Sequence, residues 1–256
     1  MNHKSKKIFL LFVYLILYSP ILVLILYSFN KAVYSNSWQG FTLHWYYNLF
    51  HDRELLIIVI NTIILSGIVA TISTLFGMLG AIALIRYKFL FKRAFHLLTL
   101  ALIIIPDIVL GLLFLILFSI LQFPLGFISL LIAHLTICLP FVLLSLSIQT
   151  SNIDKSIFMA AKDLGANEIK IIKKIFFPLL KGALFTSWLL AFSLSFDDIV
   201  ISSFVAGPKF QILPLYIYST ARAGATPQLN ALSTIILAVS LTIFTLSYRV
   251  FRKKKL

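Results

Sequence analysis

Six long apolar runs limit what this chain can fold into. They extend from Ile8 to Phe29, Leu55 to Ile85, Leu97 to Leu121, Phe127 to Ile148, Ala183 to Val205 and Leu229 to Val250. A helix that crosses a bilayer needs about 20 mostly apolar residues at about 1.5 Å each, and each run supplies that. The second is long enough to tilt or to project beyond the bilayer. The dyad alternation of a membrane barrel is missing, so strands are excluded. Composition agrees: 61% of the 256 residues are hydrophobic and 12% are charged, against about a quarter charged in a soluble domain. The chain is therefore read as an all-α, polytopic membrane protein with six transmembrane helices. It forms one domain over residues 1–256. A water-soluble enzyme, a disordered chain and a nucleic-acid-binding module are excluded.

The net charge of +14 is a topology signal and does not mark a nucleic-acid partner. Of the 22 Lys and Arg, 18 fall in the N-terminal segment, the second and fourth loops and the C-terminal segment. Lys31, Arg53, Lys209 and Arg222 alone fall in the other loops. Positive loops stay in the cytoplasm, so both ends are expected there and the span number is even. Lys4, Lys6 and Lys7 precede a first run of about 22 residues with no small-residue cleavage pattern after it, which reads as an uncleaved signal anchor. The outer loops from Asn30 to Glu54 and Ala206 to Gln228 are long enough to meet a partner. Trp38, Trp45, Tyr46 and Tyr47 fit an interfacial aromatic layer.

The catalytic patterns G-x-x-x-x-G-K-[ST], H-E-x-x-H and G-x-S-x-G do not occur. His134 and Cys138 share a helix face, but two potential ligands are too few for zinc. They read as a hydrogen-bonded His and a packed thiol. No cofactor is expected, and any energy source lies on another subunit.

Three of the eight acidic residues, Asp107, Asp197 and Asp198, fall inside apolar runs. An Asp at the bilayer centre costs about 2.5–3.5 kcal/mol on insertion scales, so such residues face an interior or a cavity. Asp107 follows Pro106, which removes a helix hydrogen bond. Asp197 and Asp198, if helical, diverge by about 100°. Two readings stand: carboxylates along a cation pathway, or helix N-caps at kinks beside Pro106 and Ser195. The first suits an elongated organic polycation, because no span centre holds Lys or Arg. Aromatic faces also hold ammonium groups, with Trp45, Trp188 and Phe196 as candidates. Ser195 joins Trp45 and the three acids as a pathway candidate.

The loop between the fourth and fifth runs, at about 151–181, carries a second constellation. Gly165 suits a left-handed C-cap between two short helical stretches. After it, Ile169, Ile172, Ile175 and Phe176 recur at helical spacing, with Lys170, Lys173 and Lys174 off that face. By periodicity alone this is an amphipathic helix, too short and too charged to span. It could lie on anionic lipid.

Ala160, Ala161, Gly165, Ile175 and Pro178 fall at the fixed positions of the EAA loop, E-A-A, three residues, G, nine residues, I-x-L-P. The segment resembles that loop in the MetI-like permeases of ABC importers. Met159 replaces the Glu and Phe177 the Leu of that pattern. The block Ser193 to Pro208, the segment Pro106 to Val109, and Trp38 to Thr42 with Trp45 and Tyr46 further resemble the permeases of polyamine importers. The resemblance implies one half of a membrane channel for putrescine and spermidine in the cytoplasmic (inner) membrane. It also implies a second permease subunit, an ATPase dimer and an extracytoplasmic polyamine-binding protein. Ala160, Ala161, Gly165, Glu168 and Pro178 would then belong to the ATPase-coupling loop. Other readings are a permease for another small organic cation or an iron complex, and a stand-alone secondary transporter. The latter would favour an inverted repeat, which is not visible.

Overall fold

The computed structural model describes residues 3–33, 37–224 and 226–252. Apolar runs became helices because, among apolar surroundings, a helix satisfies its backbone polar groups within itself. They are α1 (His3–Tyr27), α2 (His44–His51), α3 (Arg53–Arg86), α4 (Lys92–Ile104), α5 (Asp107–Ile120), α6 (Phe127–Ser151), α7 (Lys155–Asp163) and α8 (Glu168–Ile171). A π-helical turn, Ile172–Phe176, follows, then α9 (Phe177–Phe196), α10 (Val200–Val205), α11 (Leu213–Ala223) and α12 (Pro227–Arg252). No strand occurs among the described residues; Asn30 and Phe41 form an isolated antiparallel bridge.

The chain packs as two compact units, residues 1–57 with 216–256, and residues 58–215. In the first, α12 packs against α1 and α2. The apolar stretch Phe9–Tyr27 buries none of its residues within this chain, which leaves it to lipid or to another subunit. Asn30, fully buried, organises the loop after α1: its Oδ1 accepts from the Gln39 amide at 2.8 Å and its Nδ2 donates to the Ser37 carbonyl at 2.6 Å.

In the second unit α6 packs along α9, and α5 along α10. Close approach depends on small residues. On α3, a Cβ at Gly77 would lie 2.5 Å from Val142 Cγ1, and one at Gly80 would lie 2.7 Å from Leu143 Cδ1. On α5, a Cβ at Gly111 would lie 2.5 Å from the Phe204 ring. Leu65, Val69, Leu130, Val142, Leu146, Ala191 and Ile201 are fully buried in the core this creates.

Four helical stretches are long and apolar enough to cross a membrane: Phe9–Tyr27, Arg53–Arg86, Phe127–Ser151 and Glu168–Phe196. The pair α4 and α5 counts as a fifth if its two arms are one span. The sixth run lies in α12, whose apolar stretch among the described residues is Pro227–Thr242.

Three expectations about continuity are corrected. The run from Leu97 to Leu121 is not one straight helix. It bends by 108° between α4 and α5, because Pro106 has no N–H and holds the preceding Ile105 in extended backbone at ψ 129°. The run from Ala183 to Val205 breaks after Phe196 and restarts at Val200. The segment after Gly165 is not a separate amphipathic helix. α8, the π turn and α9 form one 29-residue rod, Glu168–Phe196. The π turn shifts the helical phase, so Ile171 and Phe176 are buried and Ile169 is exposed.

Candidate functional site

The break between α9 and α10 is made by side chains. Asp198 Oδ2 accepts from the Ser202 amide at 2.7 Å, and Oδ1 from the Ile201 amide at 3.4 Å. These bonds occupy orphan donors at the start of α10. The Ser202 hydroxyl also donates to Asp198 Oδ2, at 2.7 Å. His134, on α6 and 1% exposed, closes the knot. Its Nε2 lies 3.0 Å from Ser202 Oγ and 3.5 Å from Asp198 Oδ2, and its Nδ1 lies 2.8 Å from Ser195 Oγ. Ser202 spends its proton on Asp198. With one proton on the ring, His134 Nε2–H then donates to Ser202 and Nδ1 accepts from Ser195. Each buried polar group is thereby partnered, as low-dielectric surroundings demand. Cys138, one turn along α6, is a buried thiol whose Sγ approaches the Ala191 carbonyl at 3.6 Å.

The adjacent acids therefore sit in different environments. Asp198 is largely enclosed and fully bonded, whereas Asp197 is exposed. Both lie in non-helical backbone, so the 100° divergence of helical neighbours does not apply. Ser195 is buried and bonded to His134, behind this surface and not on it. Asp107 is the first residue of α5, exposed at the bend, and makes no capping bond. Among the described residues no Lys or Arg pairs with Asp107, Asp197 or Asp198.

Trp188, Phe192 and Phe196 stack in a ladder on α9 toward the break, with ring centroids 5.3 and 5.6 Å apart. Trp188 Nε1 donates to Thr71 Oγ1 at 3.1 Å, beside an open apolar groove lined by Ile64, Gly67 and Ile68. Trp45 belongs to the other unit. Its indole N–H donates to the Asn30 carbonyl at 2.7 Å and its ring meets His44 edge-on at 5.5 Å. The structure thus gathers Ser195, Asp197 and Asp198.

In the loop between α6 and α9, Asp154 caps α7 by accepting from the Ser156 amide at 2.8 Å, which lowers its pKa. Ala161 is buried, whereas Ala160, Met159 and Leu164 are exposed. Gly165 follows at φ +74°, in the left-handed region, and its amide donates to the Lys162 carbonyl at 2.8 Å. Asn167 caps α8 by accepting from the Lys170 amide at 2.9 Å. Glu168 pairs with Lys162 at 2.9 Å and accepts a hydrogen bond from the Tyr87 hydroxyl. Those contacts, Tyr87's first, lower the Glu168 pKa. Desolvation, then Glu168, pushes the Tyr87 phenol up to about 12. Pro178 lies exposed on the second residue of α9, just after the π turn.

Sequence reasoning missed the partners of His134 and the residues that hold α7. The seven-residue spacing of Ser195 and Ser202, two turns of one helix, was a weak signal for a shared partner. Arg86 counted only as a topology charge. Nothing local distinguishes it.

The family described as "Binding-protein-dependent transport system inner membrane component" matches residues 73–255. A Haemophilus influenzae protein named "Spermidine/putrescine transport system permease protein PotC" is 42% identical, over 97% of this chain and 96% of its own length. The Escherichia coli (strain K12) protein of that name is also 42% identical, over 96% of this chain and 93% of its own. The Escherichia coli "Putrescine transport system permease protein PotI" is 35% identical, over 98% and 92%. In fold, the chain is similar to a crystal structure of a bacterial ABC transporter involved in the import of the acidic polysaccharide alginate. The TM-score is 0.73 at 19% identity, over 99% of this chain and 98% of the other. A match over most of the chain, with multiple membrane-length apolar helices, settles membership: this chain belongs to the binding-protein-dependent transport system inner-membrane components, the permease subunits of ABC importers.

Proposed function

We propose that this permease forms one half of a channel that imports putrescine and spermidine, with both termini in the cytoplasm. The observation that carries the substrate class is Asp197: an exposed carboxylate at a helix break, with no Lys or Arg partner among the described residues and a bonded neighbour beside it. The 42% identity to permeases named for spermidine and putrescine supports it. A second permease subunit completes the channel, an ATPase dimer drives it and an extracytoplasmic polyamine-binding protein delivers the substrate. ATP binding closes the ATPase pair, and the loop around Gly165 carries that motion into the helices. Asp107 and Asp197 attract the ammonium groups, and the Trp188–Phe192–Phe196 ladder offers aromatic surface to the methylenes and charges between them. Holding must stay weak, because a tight site does not release its cation.

The test is uptake of labelled putrescine and spermidine by cells lacking their own polyamine importers and supplied with the full complex. Saturable, ATP-dependent uptake is expected. An assembled, ATP-hydrolysing complex that imports neither, or prefers an iron complex, refutes the substrate. Orientation is read by labelling single cysteines from outside in a Cys138→Ala chain. A cysteine at Gln39 should react and one at Asn167 should not.

A further inference from the structure

The helix α7 is attached to the rest of its unit in an unusual way. Its surface is largely outward: Ile157, Met159 and Leu164 are exposed, and Leu164 is 88% exposed. It packs along no other helix to any extent. Its buried Ala161 and the Phe158 ring touch the core, and side chains at the end of α3 hold it further. Arg86, the last residue of α3, donates from Nη2 to the Ile153 carbonyl at 3.0 Å, just before the Asp154 cap. Its guanidinium lies 5.7 Å from the Phe158 ring centroid and 5.3 Å from that of Phe176. Phe158 belongs to α7, and Phe176 is the fully buried end of the π turn. The two rings are 6.3 Å apart, so the cation lies within reach of both faces. Lys162 Nζ is 4.7 Å from the Phe158 centroid. Tyr87, the next residue, reaches Glu168 beyond the Gly165 turn, and Glu168 holds Lys162.

We propose that Arg86 is the positioning residue that clasps α7 to α3, so that displacement of α7 by the ATPase moves α3 as well as the covalently joined α6 and α9. This rests on the coupling reading of the loop. Without the clasp, α7 would be joined to the rest of the unit by the turn through Asn152, the Gly165 turn, the Phe158–Phe176 ring contact and the Lys162–Glu168 pair. With it, the push passes through a planar cation set against two neighbouring rings, one of them in the core. Tyr87 is the second strut from the same helix end, on the far side of the turn. Lys cannot replace Arg86, because an ammonium lacks the planar fork that reaches a carbonyl and stacks on rings at once.

The test uses the complete complex, reconstituted with its binding protein, and reads polyamine imported per ATP hydrolysed. Arg86→Met should lower that ratio roughly tenfold, as expected for one lost charge-assisted contact, while ATPase activity persists. Arg86→Lys should recover only part of it. Phe158→Leu should lower the ratio, and the double variant should add little, because the two share one contact. A second readout needs no substrate. Spin labels at Leu90 and Ser156, in a Cys138→Ala chain, should keep one narrow distance through the nucleotide cycle and broaden in Arg86→Met. A native ratio in Arg86→Met, additive losses, or unchanged label distances overturn the clasp. So do ATPase activity and uptake falling together at constant ratio, which marks a folding role alone. If the native complex hydrolyses ATP but imports no polyamine, the substrate reading fails, and the label distances still judge the clasp.

Discussion

Two adjacent acids with opposite surroundings should respond oppositely to the same substitution. Asp197 is exposed and makes no ion pair among the described residues. Asp197→Asn should therefore leave stability within about 0.5 kcal/mol, as for surface sites without special features. If its charge guides a polyamine, uptake should fall roughly ten- to hundredfold, since a charge-assisted contact is worth about 1.5–3 kcal/mol. Asp198 accepts two bonds of 2.7 Å from Ser202 and lies 3.5 Å from His134. Asn there keeps the cap, because Asn and Asp rank alike at helix starts. It removes a charged acceptor from the knot, at a cost of about 1.5–3 kcal/mol in stability. Asp198→Leu also strands the Ile201 and Ser202 amides and the Ser202 hydroxyl, at about 1–3 kcal/mol for each donor left unsatisfied.

The assay pairs uptake of labelled spermidine, matched for membrane abundance, with thermal denaturation of the purified complex. The expected result is a crossed pattern. Asp197→Asn loses uptake and keeps its melting temperature, whereas Asp198→Leu loses its melting temperature and its abundance. Native uptake by Asp197→Asn, or equal stability of Asp197→Asn and Asp198→Leu, would refute the division of labour drawn from the knot.

Three further outcomes are expected. Gly165→Val should weaken ATPase stimulation with little effect on insertion. Gly165 has φ +74° and nothing within 4 Å of an added Cβ, so the strain is backbone alone, about 1–2 kcal/mol; native stimulation would return the loop to a surface helix. His134→Leu should destabilise the complex by about 1–3 kcal/mol in a melting experiment, by stranding the Ser195 hydroxyl and removing the donor to Ser202, and His134→Gln should recover part of this; equal melting of Leu and native chains would sink the knot. Glu168 titrates below its ordinary 4.5, so the stability it lends α7 is present above that pH and is lost as pH falls through the lower folded value. A fluorophore at Leu164 should report that loosening in acid, and Tyr87→Phe should move it upward toward 4.5; coincident transitions would remove Tyr87 as the cause.

The helices were legible because apolar length is a one-dimensional property. The run ending at Ile148 became α6, Phe127–Ser151, and the left-handed turn at Gly165 was readable from a single residue. The interruptions were harder, because proline does not decide them. Pro20 and Pro140 lie inside continuous helices, and Pro140 is buried within α6. Pro106 instead ends one helix and starts another. Neighbouring helices and tilted backbone can absorb one missing hydrogen bond, and that compensation is invisible in sequence. The break at Asp197 contains no proline at all. It exists because Asp198 competes for the backbone donors of Ile201 and Ser202. His134, over 60 residues earlier in the chain, holds that carboxylate in place. No local window contains such a partner.

Capping and cation guidance looked like alternatives for the three acids; in the proposed reading they are complementary. A helix interrupted within an apolar run exposes free N–H groups at each restart. In α10 Asp198 satisfies them. That satisfaction ties up Asp198, so it cannot also attract a passing cation strongly. It does fix the break, and the break is what leaves Asp197 off a packed helix and open. In α5 the restart follows Pro106, which is the N-cap residue, brings no N–H of its own and has no side-chain cap bond at its helix start. Asp107 is then free, exposed at the positive end of that helix with no capping bond, where its charge is favoured by the macrodipole. Each interruption therefore yields one available carboxylate by a different route. The chemistry that makes the interruption, a cap in one case and a proline in the other, decides which acid remains available.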